Sequence, residues 1–130
     1  MPLVYTPGMM STALILFAHG ARDPRWREPF DRLHALVAAR RAGPVALAFL
    51  EMMQPDLTEA ARQLAHSGAT SAMVVPVFLG TGGHLRQDLP ALVAAAQEAA
   101  GLQLRVATAV GEDDAVLEAM AAYCLRVAQA

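Results

Sequence analysis

The sequence predicts an α/β fold with a single four-stranded parallel sheet, strand order 2-1-3-4 and helices on both faces. Two observations support this prediction. Short apolar runs that read as strands alternate four times with segments of helical periodicity, the pattern of right-handed βαβ units. No linker or low-complexity stretch divides the 130 residues, a length typical of one domain.

The strands and helices can be placed from apolar runs, caps and breakers. Strands are predicted over 11–18, 45–50, 71–79 and 102–109, and helices over 24–40, 55–65, 84–100 and 112–127. Asp23 is the expected N-cap of the first helix, with Pro24 in its first turn. Gly101 is expected to end the third helix. Acidic residues at the starts of the second and fourth helices favour the helix dipole.

The N-terminus predicts an extension rather than a targeting segment. Residues 1–10 carry two prolines and a glycine and no basic n-region, so we expect a flexible extension, with Met9 or Met10 as an alternative start. Residues 11–130 are expected to form the α/β domain. Cys124 is the single cysteine, so the chain has no internal disulfide. A cytoplasmic location is the expectation.

Composition argues against two classes of partner. A net charge of −2 gives no reason to expect nucleic acid binding, and no apolar run reaches the roughly 18 residues of a membrane span. The 55% hydrophobic content is attributed to buried parallel strands and a subunit interface. All ten basic residues are arginine. The absence of lysine has two interpretations, which can both hold. One is codon bias in a GC-rich genome, and the other is that the planar guanidinium group of arginine suits carboxylate ligands.

Three polar residues follow strand-like runs. LILFA precedes His19, VALAFL precedes Glu51, and VVPVFL lies a few residues before His84. The carboxyl ends of parallel strands share one rim, where open α/β sheets bind ligands, and order 2-1-3-4 puts a topological switch point between strands one and three. We therefore expect His19 and His84 to be neighbours there, with Glu51 one strand away. His34 and His66 fall within helices and are interpreted as ordinary surface or capping residues.

The chemistry of this set indicates a divalent ion. Imidazole and carboxylate suit cobalt, iron, nickel or zinc, and three protein ligands leave coordination positions open for transfer or catalysis. Histidine also titrates near neutrality and can accept protons. The glycines of GTGGH allow the backbone to approach a large ligand, and the loop opens onto a helix N-terminus that favours anions.

Other motif interpretations are weaker. LFAHG is partly similar to the histidine phosphatases, but Ala18 stands where their arginine precedes the histidine. The HG pair also occurs in α/β-hydrolases, yet the chain has no G-x-S-x-G elbow. GTGGH matches neither the P-loop nor G-x-G-x-x-G, so nucleotide binding is unsupported. A phosphatase or hydrolase remains a minor alternative, testable with nitrophenyl phosphates and esters.

Three stretches, AHGARDP, FLEMMQPDLTEA and VPVFLGTGGHLRQDLP, resemble the small sirohydrochlorin chelatases of the CbiX type. The resemblance runs over about residues 14–127, and FL-x-x-GGH followed by D-[IL]-P is its most specific part. One departure is Ala21, where many members carry serine. The resemblance implies the class II chelatase fold for residues 11–130. It also implies insertion of a divalent metal into sirohydrochlorin, a lyase reaction in which the metal is a substrate and which needs neither ATP nor an organic cofactor.

Site roles also follow from the resemblance. His19 is implied as metal ligand and proton acceptor, and His84 as the second metal ligand. Glu51 contacts either metal or macrocycle, and the two options remain open. Leu79, Gly80, Thr81, Gly82 and Gly83 are implied to line the tetrapyrrole. Because larger relatives contain two such domains, a single-domain chain implies a homodimer.

Arginines near the rim are candidates for orienting the substrate. Sirohydrochlorin carries eight carboxylates, and Arg22 and Arg86 each lie close in sequence to a candidate ligand histidine. A solvated helix face is the alternative interpretation of both. Cobalt is favoured as the metal, in cobalamin biosynthesis. Iron, in sirohaem biosynthesis, is an alternative, nickel is a further possibility, and a non-catalytic metal or tetrapyrrole carrier is the alternative function.

Overall fold

The structure, a computed structural model, describes residues 12–130, so the extension predicted over residues 1–10 lies outside the described part. The strands form one parallel sheet of order β2-β1-β3-β4, which confirms the predicted topology. Their bounds are Thr12–Ala18 for β1, Val45–Phe49 for β2, Ser71–Pro76 for β3 and Gln103–Val106 for β4.

Four α-helices and two short 3-10 helices connect and follow the strands in the described residues. The α-helices are α1 (Glu28–Ala39), α2 (Leu57–His66), α3 (Gly83–Ala100) and α4 (Asp114–Ala128). The 3-10 helices, Pro24–Arg27 and Val110–Glu112, precede α1 and α4 respectively. Within residues 12–130, no helix combines the length and apolar character needed to cross a bilayer.

The core has two layers because the strand side chains alternate between the faces of the sheet. On one face, Ile15, Phe17 and Val74 are buried beneath α2 and α3. On the other, Leu16 and Phe49 belong to a smaller cluster, against which apolar residues of α1 and its 3-10 lead-in pack: Trp26, Phe30, Leu33 and Val37. The predicted helices on both faces are thus present.

The first helix differs from its prediction. Asp23 is an N-cap, as predicted: its side chain accepts from the Arg25 N–H at 2.9 Å. The helix that it caps is the 3-10 helix, and the α-helix begins only at Glu28. The reason is Pro29, which has no N–H to bond the Arg25 carbonyl and so prevents the α-helical ladder from extending further back.

The second and fourth helices begin later than predicted because an acidic residue caps each. The Asp56 side chain accepts from the Glu59 N–H at 2.8 Å, and α2 starts at Leu57. The Asp113 side chain accepts from the Val116 N–H at 3.2 Å, and α4 starts at Asp114. Both carboxylates act as N-caps, which prefer extended backbone and therefore stand outside the helix.

The last two strands are shorter than predicted. β3 ends at Pro76, which has no N–H to donate, although the Val77 N–H beyond it still donates to the Phe17 carbonyl of β1 at 2.8 Å. β4 is an edge strand and pairs with only four residues of β3, so it ends at Val106 rather than Ala109. Gly101 ends α3 in the left-handed region at φ 65°, as predicted.

The Asp56 cap gives a stability prediction. Replacing Asp56 by alanine leaves the Glu59 N–H without its side-chain acceptor, so we expect the free energy of unfolding to fall by about 1 kcal/mol. Urea denaturation measures it, with Asp56→Asn as the control because asparagine caps nearly as well. A loss as large in Asp56→Asn as in Asp56→Ala would contradict a capping role.

Candidate functional site

The carboxyl ends of β1 and β2 are joined by backbone hydrogen bonds that continue beyond the strands. The Leu50 N–H donates to the Ala18 carbonyl at 2.8 Å, and the Glu51 N–H donates to the His19 carbonyl at 3.1 Å. His19 and Glu51, both exposed, are therefore held side by side by main-chain contacts. This placement agrees with the rim predicted from the sequence.

Gly20 makes this close approach possible. It lies at φ 89°, in the region that favours glycine, and a Cβ built there would stand 1.8 Å from the Glu51 carbonyl oxygen. The turn after β1 thus packs main chain against main chain. As a result, the positions of His19 and Glu51 depend on each other.

The His19 ring rests on a buried aromatic side chain. Its centroid lies 4.4 Å from that of Phe78, and the two rings are inclined by 42°. Phe78 is itself 4% exposed and packs edge-on against Phe17 at 6.0 Å. One face of the imidazole is therefore held against the core, while the residue remains exposed at the rim.

His84 occupies the first turn of α3, directly after the glycine loop. Gly82 is the N-cap and makes no side-chain capping bond, so α3 begins without a capping side chain. A Cβ added at Gly80, Gly82 or Gly83 would meet no atom within 4 Å. The fold itself does not require glycine at these positions, and the open space beside the loop is available to a ligand.

A pocket of about 660 Å³ brings the three predicted residues together at the rim. Its polar wall comes from the strand ends and the start of α3, and its apolar wall from one side of α3. The lining residues are His19, Leu50, Glu51, Gly82, His84, Leu85, Asp88, Ala91, Leu92 and Ala95. This volume lies within the range of small-molecule sites.

Other predicted residues lie elsewhere. Thr81 and Arg86 line a second pocket, of about 620 Å³, on the opposite flank of α3 beside β4. Four further residues line neither of these two pockets, although all four are exposed: Arg22, Leu79, Gly80 and Gly83.

The three candidate metal ligands stand around the pocket rather than at one point. Within residues 12–130, no three His, Cys, Asp or Glu side chains are grouped closely enough to hold a metal ion.

Asp88 and an apolar stripe were not assigned from the sequence. Asp88 follows His84 by four residues on α3 and lines the same pocket, and residues so spaced share a helix face with Cβ atoms about 5–6 Å apart. Ala91, Leu92 and Ala95 continue this face. The i, i+4 spacing from His84 was the available signal.

His34 and His66 stand apart from this pocket, as expected. His34 Nε2 lies 2.8 Å from the Val45 carbonyl oxygen and so joins α1 to β2. His66 is exposed at the end of α2.

Near the rim, Asp23 has a lowered pKa because the Arg25 side chain and backbone N–H both donate to its carboxylate.

Comparison with known proteins identifies the family. The CbiX family model matches residues 13–126, nearly the whole described chain. The chain belongs to the CbiX family. The match includes His19, Glu51 and His84, so the resemblance predicted from the three motifs is confirmed.

Two curated relatives carry the name sirohydrochlorin cobaltochelatase. A sirohydrochlorin cobaltochelatase of Sulfurisphaera tokodaii is 29% identical over 105 residues, which cover 81% of this chain and 84% of the relative. The sirohydrochlorin cobaltochelatase of Methanothermobacter thermautotrophicus is 34% identical over 77 residues, 59% of this chain and 54% of the relative.

Solved structures share the fold. A CbiX protein of cobalamin biosynthesis from Marinobacter aquaeolei has a TM-score of 0.84 and 28% identity, over 91% of this CbiX chain and 98% of that one. The sirohydrochlorin chelatase SirB from Bacillus subtilis subspecies spizizenii, solved with cobalt, has a TM-score of 0.72 and 25% identity. That match covers 83% of this chain but 47% of SirB, so SirB is about twice as long as the matched unit.

Proposed function

We propose that this CbiX protein is a sirohydrochlorin chelatase that inserts a divalent metal, with Co²⁺ favoured, into the tetrapyrrole and releases two protons. The observation that carries the proposal is the rim pocket, which has His19, Glu51 and His84 on its polar wall. Membership of the family and the names of the curated relatives support the same reaction.

The pocket offers the two kinds of surface that metallation needs. Leu85, Leu92 and Ala95 give an apolar wall against which the flat face of a macrocycle can pack. The imidazoles of His19 and His84 supply nitrogen ligands for a borderline divalent ion. Holding the ion beside the ring converts a bimolecular encounter into an oriented exchange of ligands.

Proton removal is assigned to His19. Each pyrrole N–H must lose its proton as the nitrogen replaces a protein ligand on the metal. A histidine imidazole that is not bound to the ion can accept this proton as a general base. The His19 ring packs on Phe78 with centroids 4.4 Å apart, which restricts the orientations open to this base. His84 acts as the second ligand.

Glu51 is assigned to the same wall, in contact with either the metal or the macrocycle. Its backbone is fixed to His19, so its carboxylate stays near the ligand pair in both cases. Arg22 and Arg86 are proposed to attract and orient the carboxylates of the substrate. Arg86 would act from the opposite flank of α3, whereas Arg22 lies three residues beyond His19 on the rim.

The test is direct metallation. Purified protein mixed with sirohydrochlorin and Co²⁺ is expected to accelerate the absorbance change of metallation over the uncatalysed rate, without ATP or an organic cofactor. Parallel assays with Fe²⁺ and Ni²⁺ rank the metals. Tight metal or tetrapyrrole binding without acceleration would replace the proposal with a carrier function.

Asp88 is predicted to orient His84. A carboxylate that accepts a hydrogen bond from a ligand histidine fixes its tautomer and ring direction, and its loss costs about 10- to 100-fold in metal affinity or activity. We expect Asp88→Asn to lower the metallation rate by about this factor. Gln87→Ala, at the exposed neighbouring position on α3, is the matched control. Equal rates for Asp88→Asn and the parent would remove Asp88 from the site.

The working form is proposed to be a cytoplasmic homodimer. The length of SirB, about twice the matched unit, supports a two-unit assembly. The single cysteine, Cys124, suits a reducing compartment.

A further inference from the structure

The segment that carries Glu51 is a short loop whose two ends are tied together by main-chain contacts. The Phe49 N–H at the end of β2 donates to the Pro55 carbonyl at 2.9 Å, and Phe49 also forms an isolated parallel bridge with Asp56. Residues 49–55 therefore form a closed loop, which we call the Glu51 loop. Glu51 lies two residues beyond Phe49, whose side chain is fully buried.

The tip of the Glu51 loop has an unusual backbone conformation. Met52, which follows Glu51, lies at φ 65°, in the left-handed region that residues with a side chain rarely adopt. Such a conformation persists where the surrounding structure holds the backbone in place. On one side, the Glu51 N–H donates to the His19 carbonyl and Gly20 packs against the Glu51 carbonyl. The two ends of the loop are held separately.

One side chain, that of Arg27, contacts both ends of the Glu51 loop. Its Cζ lies 4.8 Å from the centroid of the Phe49 ring, within the range of a cation–π contact. Its Nη1 donates to the Gln54 carbonyl in a long hydrogen bond of 3.5 Å. Arg27 is half-buried at the end of the 3-10 helix. These contacts therefore join the loop to a separate part of the chain.

The Arg27 guanidinium is itself oriented by Asp31, one turn along α1. Nε and Nη2 of Arg27 each donate to the Asp31 carboxylate at 3.1 Å. A forked contact of this kind fixes the plane of the guanidinium. Because Asp31 engages Nε and Nη2, Nη1 is left to reach Gln54. An ion pair as exposed as this one adds little to stability, so its main effect is on orientation.

Arg27 completes a path of contacts that begins and ends at His19. The chain runs from His19 through the turn at Gly20 into the 3-10 helix, whose N-cap is Asp23 and whose last residue is Arg27. From there, the guanidinium contacts the ends of the Glu51 loop. The tip of this loop is bonded back to the His19 main chain. Loss of the Arg27 contacts would therefore loosen Glu51 while leaving its backbone bond to His19 available.

The neighbouring arginine lacks these contacts. Arg25, on the same 3-10 helix, also pairs with an aspartate, Asp23, at 2.9 Å. Its side chain is 83% exposed, compared with 35% for Arg27. Within residues 12–130, the hydrogen bonds of the Arg25 side chain go to Asp23 and none reaches the Glu51 loop. The two arginines thus differ in the one contact that concerns the site.

We propose that Arg27 is a positioning residue, which sets the direction of the Glu51 carboxylate by holding the two ends of the Glu51 loop. Arg27 is not among the residues that line the rim pocket, so it acts through Glu51 rather than on the metal or the macrocycle. This deepens the proposed function and rests on it. Lysine cannot replace arginine here, because a single ammonium group has no fork for Asp31 and Gln54 together.

A double-mutant cycle tests the coupling between Arg27 and Glu51. We expect Arg27→Met, which keeps an apolar side chain beside Phe49 but removes the guanidinium, to lower the metallation rate about 10-fold. In a Glu51→Gln background the same change should lower the rate less than about twofold, because the carboxylate that Arg27 directs is already gone. Equal losses in the two backgrounds would overturn the proposal, since a general structural role does not depend on Glu51.

Two further variants complete the cycle. Arg25→Met is the matched control and should keep the parent rate within about twofold, because its ion pair is exposed. A loss in Arg25→Met as large as in Arg27→Met would also overturn the proposal. If Arg27→Met does not fold, Arg27→Lys takes its place. It retains the charge beside Phe49 but not the fork, and its loss of rate should depend on Glu51 in the same way.

Hydrogen exchange separates the role of Arg27 from the proposed function. Arg27→Met should accelerate exchange of the Phe49 amide, whose bond to Pro55 closes the Glu51 loop, relative to the amides of β3, which report global opening. Arg25→Met should not. A parent that metallates while this exchange is unchanged in Arg27→Met overturns the role of Arg27 and leaves the chelatase standing. A parent that does not metallate, with accelerated exchange in Arg27→Met, removes the chelatase and retains the hold of Arg27 on the loop.

Discussion

Replacing His19 by alanine is expected to reduce the initial rate of metal insertion by at least about 100-fold, because it would remove the proposed general base together with a proposed metal ligand. His84→Ala should also lose rate, but raising the Co²⁺ concentration should restore part of it, since that variant retains the base. Initial rates with sirohydrochlorin over a range of Co²⁺ concentrations measure both effects.

His66→Ala is the control for these variants, because His66 is exposed at the end of α2 and away from the pocket. It should keep the parent rate. If both His19→Ala and His84→Ala metallate within about twofold of the parent, where a lost acid–base group alone should cost at least about 100-fold, the assigned mechanism is wrong.

The Gly20→Ala substitution is expected to have the largest effect on the fold of the site. The new Cβ would stand 1.8 Å from the Glu51 carbonyl oxygen, and the residue would remain at φ 89°. Either the β1 and β2 ends separate or the turn is remodelled, and the free energy of unfolding should fall by about 2–4 kcal/mol. Urea denaturation measures this loss.

Gly68→Ala is the matched control for Gly20→Ala. Gly68 also has a left-handed φ, 104°, but a Cβ there meets no atom within 4 Å. It should show only the conformational cost, about 1–2 kcal/mol. Equal losses in the two variants would mean that contact with Glu51 contributes nothing. Gly20→Ala should also lose metallation beyond what its unfolded fraction explains.

Much of the architecture follows from local sequence signals. The alternation of apolar runs and helical segments predicted the strand order, because right-handed crossovers leave few topologies. The boundaries were less predictable. Pro29 and Pro76 each remove an N–H from a hydrogen-bonding pattern that hydrophobic periodicity alone would extend. The length of β4 depends on how many residues of β3 it pairs with.

The site was predictable where residues follow strands and less so where they lie on helices. His19 and Glu51 were placed by the rim rule, and His84 by the loop after β3. Asp88 and the apolar stripe of α3 depend on which side of a helix faces the rim, which requires the packing of α3 on the sheet. The same packing puts Thr81 and Arg86 on the opposite flank, although both are neighbours of His84 in sequence.

The contact at Gly20 couples two of the candidate ligands and leaves the third independent of them. The Glu51 N–H donates to the His19 carbonyl at 3.1 Å, so a shift of either strand end moves both residues together. His84 lies on a different element, in the first turn of α3. A change in how α3 packs on the sheet would therefore alter the distance from His84 to the pair without altering the spacing within the pair.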